Sequence, residues 1–133
     1  MAKKNVIKLE MDSPATVLGV ASNDKIWKVC WKINQGLGLD LSTQEEPAAM
    51  LAGPTVYTDF ESDSDFDYQF FEADTGSRKV SRLARQFRFW MVIKPKRDLA
   101  PDVAALLKQL AGIDSVSLAH DLTEEKDIKK LIP

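Results

Sequence analysis

A chain of 133 residues with 44% hydrophobic and 29% charged side chains has the length and composition of one folded domain, which excludes a disordered or low-complexity chain. Its formal charge of −2 supplies no global field toward nucleic acid or an anionic membrane, so any such affinity must come from a local patch. Cys30 stands alone and cannot form an intramolecular disulfide; with His120 it leaves too few ligands for a structural zinc site.

The opening residues, MAKKNVIKLEMDSP, hold no unbroken apolar core and no small-residue cleavage site, so no signal peptide is expected there. No apolar run is long enough to cross a bilayer, and a cytoplasmic protein is expected. Over 6–11, Val6, Lys8 and Glu10 alternate with Ile7, Leu9 and Met11, the period of a half-buried strand. The apolar run 15–21 reads as a second strand or as a buried approach to a helix. Ser22, Asn23 and Asp24 then offer capping oxygens to a helix whose stripe is Ile26, Val29, Cys30, Ile33 and Leu37. Lys25, Lys28 and Lys32 fall on its other side, and Gly36 and Gly38 end it.

A short strand and an irregular connection are expected over 40–54. Residues 55–62 and 66–74 read as two strands joined by the polar turn Asp63–Ser64–Asp65. In 87–94, Phe87, Phe89, Met91 and Ile93 share one face, and Trp90 and Val92 share the other, as in an inner strand covered on both sides. Pro101 suits the first turn of a second helix with the stripe Val103, Leu106, Leu107 and Leu110, stopped by Gly112. Val116, Leu118 and His120 alternate as in an edge strand over 115–122. The chain reads as a single α+β domain, 1–133, with a short charged C-terminal tail, 123–133. Its fold class is a two-layer sandwich: a mainly antiparallel sheet with two helices packed on one face, related to a ferredoxin-like plait with extra strands.

Residues 8–41, KLEMDSPATVLGVASNDKIWKVCWKINQGLGLDL, resemble the uncharacterised bacterial family named for its signature IPExxxVDY. The match runs through a lysine-rich strand, an apolar turn ending near Gly19–Val20–x–Ser22, and a helix with Trp31 and Asn34 in Trp–x–x–Asn spacing. In the signature region Val80, Ser81 and Arg82 stand where the family has Ile–Pro–Glu, and Phe87, Arg88 and Phe89 where it has Val–Asp–Tyr. The resemblance implies a divergent member, a shared architecture and no assigned activity.

Candidate sites are few. Gly36–Leu37–Gly38 follows a helix instead of opening one, so it is no dinucleotide fingerprint. Asp63, Asp65 and Asp67 are spaced like the start of a calcium loop, but Tyr68 stands where that loop needs glycine, and a solvated acidic turn is expected. Cys30 lies on an apolar stripe and reads as a small hydrophobe, and His120 as a partly exposed edge residue. Trp27 and Trp31, one turn apart beside Asn34, either widen the buried face of their helix or anchor a partner.

Residues 77–97 carry eight cations and no acid, and 59–74 carry seven acids and no cation. Neighbouring strands of opposite charge are expected to pair and largely cancel. If they do not, Arg78, Arg82, Arg85 and Arg88 with Trp90 would form an anion or nucleic-acid surface. The expected function is a non-enzymatic protein-interaction module, self-associating or docking on another protein through the tryptophan flank or a sheet edge. The alternative is RNA or single-stranded DNA binding through 78–97. No catalytic residue, metal or cofactor is expected.

Overall fold

The computed structural model describes residues 15–43, 55–73 and 81–125, together with Ile128. The strand expected over 6–11 lies outside them. The apolar run that follows is a strand, β1 (Thr16–Ala21), and it leads into helix α1 (Ile26–Leu37). The helix starts later than its capping residues suggest: Lys25 holds the N-cap position without a side-chain bond, and Ser22 Oγ accepts the Asp24 amide at 3.1 Å instead. Its end is as expected, with Gly38 in the left-handed region at φ 69° and its N–H donating to the Asn34 carbonyl.

Two strands follow, β2 (Val56–Asp59) and β3 (Phe66–Glu72), and then a short 3₁₀ turn over Ala84–Gln86. Strand β4 (Phe89–Pro95), helix α2 (Val103–Ala111) and strand β5 (Leu118–Asp121) complete the order. Pro101 sits just before α2 and not in its first turn. Asp102 is the cap, its carboxylate accepting the Ala105 N–H at 3.1 Å.

The strands form one antiparallel sheet in the order β2-β3-β4-β1-β5. With β2 set aside, β4 lies between β1 and β3, and β1 lies between β4 and β5. In chain order α1 leads from β1 to β2, across β4 and β3, and α2 leads from β4 to β5, across β1. Both helices pack on one face, where Leu18, Val20, Tyr68, Phe70, Phe89, Met91 and Ile93 meet Val29, Cys30, Ile33 and Leu110. The α+β two-layer reading holds. Among the described residues no helix is long and apolar enough to cross a membrane.

The opposite face carries a smaller cluster of Val17, Phe71, Trp90 and Val92, closed by Ala84, Phe87, Leu122 and Ile128. Strand β4 is covered on both sides, as its apolar faces require. Phe87 corrects the expected pattern. It precedes the strand, at the end of the 3₁₀ turn, and packs on Trp90's face instead of with Phe89, Met91 and Ile93. Gly19 makes room for it, since a Cβ there would stand 2.5 Å from Phe87 Cγ. The expected charged tail is anchored where it is described: Thr123 Oγ1 accepts the Val17 N–H at 3.0 Å, and Ile128 is buried.

Candidate functional site

The flank of α1 that carries Trp27 and Trp31 faces away from α2. On the other flank, Lys32 Nζ donates to Asp114 at 2.9 Å, and a Cβ on Gly36 would stand 3.2 Å from Ile113, which fixes α2 against that side. The sheet beneath α1 is filled by Val29, Cys30 and Ile33. The two indoles are left 60% and 56% exposed. The arrangement in which both rings cover the sheet does not occur.

Asn34, grouped with them by sequence, has a different task. Its Oδ1 accepts the Leu41 N–H at 2.8 Å and its Nδ2 donates to the Leu41 carbonyl at 3.2 Å. The amide ties the segment after α1 back onto the helix, and both its ends are occupied.

Beyond that segment lies a cleft of about 400 Å³ lined by Asp40, Ser42, Thr58, Asp59, Phe60 and Glu61 with Ser62. Asp59 is its one buried acid. Its carboxylate accepts the amides of Asp40 at 2.8 Å and of Glu61 and Ser62 at 3.0 Å. Burial pushes the carboxyl up, but the bonds from Ser62, Asp40 and Glu61 outweigh it and hold the pKa at about 2. A carboxylate so occupied organises the turn after β2 and is no general base. Sequence reasoning passed over it; an aspartate followed by the short polar run Glu61–Ser62 is the signal of such a turn.

Asp63, Asp65 and Asp67, spaced like the start of a calcium loop, each have separate partners in and beside the acidic turn. Asp63 accepts the Asp65 amide at 2.8 Å and the Tyr68 hydroxyl at 3.1 Å. Burial, then the charge of Asp63, pushes the Tyr68 phenol up. Asp65 pairs with Arg97 at 2.6 Å and Asp67 with Lys96 at 3.6 Å. Among the described residues no group of three or more His, Cys, Asp or Glu side chains could hold a metal.

These contacts also bear on the charged stretches. Strand β3 pairs with β4 along its length, Asp67 lies opposite Lys94, and Arg88 Nε donates to Glu72 at 2.9 Å while its Nη1 donates to the Asp24 carbonyl at 3.2 Å. The acidic and basic runs are thus matched in part. Arg82 and Arg85 are exposed and form no ion pair among the described residues, and Arg78 lies outside those residues. Trp90 is a correction. It is 0% exposed, edge-on to Phe71 with ring centroids 6.2 Å apart, and Phe87 and Phe89 are buried too. The basic stretch presents no ring on which a base could stack.

Cys30 is 2% exposed, and burial pushes its thiol up to about 12, so at neutral pH it stays protonated and packs as a core side chain. His120 sits exposed on β5, its ring stacked on Phe87 with centroids 6.1 Å apart. No family model, no curated protein and no solved structure matches the chain.

Proposed function

We propose that the chain is a non-enzymatic protein-interaction module whose docking surface is the Trp27/Trp31 flank of α1. One observation carries this reading: two indoles one turn apart, 60% and 56% exposed, on a helix whose core stripe is complete without them. Tryptophan is enriched among the residues that dominate interface energies, because a large rigid ring is desolvated at little cost in side-chain entropy. Two buried groups of the kind used in acid–base or nucleophilic chemistry, Asp59 and Cys30, support the reading from the other side, since both have structural tasks. A cytoplasmic location and divergent membership of the IPExxxVDY family belong to the same proposal.

The alternative, binding of RNA or single-stranded DNA, retains Arg82 and Arg85 as exposed cations, but Trp90 is not among its contacts. A photo-crosslinker placed at position 27 or 31, and separately at exposed Lys108, tests both readings in extracts of the source cells. Protein adducts from 27 and 31 but not from 108 are expected. Equal labelling from all three positions, or none from 27 and 31, overturns the proposal. Salt-sensitive nucleic-acid adducts from position 85 would favour the alternative.

A further inference from the structure

The fold treats the two outer strands of its sheet differently. Ser42 bridges the free side of β2, with N–H to carbonyl distances of 3.1 Å and 2.9 Å to and from Thr58. Strand β5 has β1 as its only strand neighbour among the described residues. The register tells which of its backbone groups face outward. Val17 directs both of its groups toward the β5 side, its N–H to Thr123 Oγ1 at 3.0 Å and its carbonyl to the Leu122 N–H at 2.8 Å. With a two-residue period, Gly19 and Ala21 likewise face His120 and Leu118. The N–H and C=O groups of Ala119 and Asp121 therefore point away from β1.

We infer that β5 is a self-pairing edge, and that two copies of the chain join antiparallel about a two-fold axis through His120, continuing the sheet from one copy into the next. This deepens the self-associating side of the proposed function and uses β5, which lies beyond β4 and β1 from β3, a strand that α1 packs against. In this register Ala119 of each copy exchanges N–H···O bonds with Asp121 of the other, and the two His120 residues stand opposite each other as a non-hydrogen-bonded pair. An axis through Ala119 would call on the Ser117 N–H, which the Ala21 carbonyl already holds at 2.8 Å.

The side chains fit a second copy. Asp121 meets Ala119 and not another acid, and its carboxylate is turned to Thr123, accepting the backbone N–H at 2.9 Å and Oγ1 at 2.6 Å. Leu118, 52% exposed, shares the face of His120 and Leu122 and would lie opposite Leu122 of the second copy, extending the aromatic cluster across the axis. Residues 115–122 contain neither the lysine nor the proline with which open edges are commonly guarded. A strand of 4 residues makes this a weak, concentration-dependent dimer.

Sedimentation of the full chain over a range of concentrations tests it. The wild type is expected to pass from monomer to dimer. Ala119→Pro removes an outward donor and leaves the β1 ladder intact, so dimerisation should weaken about tenfold to a hundredfold with the thermal melt unchanged. Should that variant fail to fold, His120→Lys, at an exposed position, sets like charges opposite each other and should weaken the dimer too. The register is read by His120→Cys. Cα atoms of a non-hydrogen-bonded pair stand about 4.5 Å apart, within disulfide reach, so oxidation should link the copies, whereas Ser64→Cys on an exposed turn should not. A wild type monomeric at every concentration, or an Ala119→Pro variant that still dimerises, overturns the inference. Loss of the dimer in a Trp27→Ala/Trp31→Ala variant but not in Ala119→Pro would overturn it while sparing the proposed function. Loss in Ala119→Pro alongside absent crosslinks from 27 and 31 would do the reverse.

Discussion

Strand β4 and the outer flank of α1 both carry tryptophan among cations, and the fold handles them in opposite ways. Trp90 follows Arg88, yet it is wholly enclosed, because β4 is an inner strand and its second face is roofed by the 3₁₀ turn, Leu122 and Ile128. Trp27 and Trp31 alternate with Lys28 and Lys32 on a regular helix, yet each residue is more than half exposed, because α2 supports the other flank. Neighbours along the chain do not decide the fate of an aromatic side chain. What decides it is the element it belongs to and what covers the face it is on. Arginines beside a buried ring pair with strand neighbours, as Arg88 does with Glu72, and a ring on an unsupported flank is left for a partner.

The contrast can be broken most directly at Trp90. Trp90→Ala should cost about 3–5 kcal/mol by denaturant titration, the usual range for emptying an aromatic core site. A loss under about 1 kcal/mol would mean the second cluster is not a core. Next, Gly19→Ala would drive a methyl to 2.5 Å from Phe87 Cγ and 2.8 Å from Leu122, so about 1–3 kcal/mol of overpacking is expected in the same titration.

Asp59 sharpens the picture at the edge between the regions. Its folded pKa of about 2 lies below that of an unfolded aspartate, near 3.9. The stability it contributes is therefore complete above about pH 4 and is lost as pH falls toward about 2. That contribution is about 2 kcal/mol, and Asp59→Asn should remove both it and the matching acid-side slope in melts taken across that window. Smallest is the joint change Trp27→Ala/Trp31→Ala, expected to stay within about 0.5 kcal/mol per site because neither ring packs in the core. A larger loss would show the flank to be structural.

Much of the architecture was legible because period and punctuation are local. The stripe of α1, the doubly covered β4, the edge position of β5 and the pairing of β3 with β4 all follow from spacing and adjacency. What was illegible depended on distant placement. A helical wheel puts Trp27 and Trp31 on a flank but does not tell which flank α2 takes. Alternation put Phe87 with Phe89, because the 3₁₀ turn that swings it to the other face leaves no period in so short a run. Asn34, Asp59 and Asp102 each bond backbone groups of a turn, a returning segment or a helix start, where side-chain identity permits a cap or turn without specifying it.

Cys30, sealed under α1 with its thiol pushed up to about 12, turns the helix into its own clock. A maleimide or similar alkylating agent reaches that sulfur only when the helix lifts from the sheet or the whole molecule opens. The labelling rate, followed by mass spectrometry against denaturant, therefore reports how often that layer separates, with no engineered reporter.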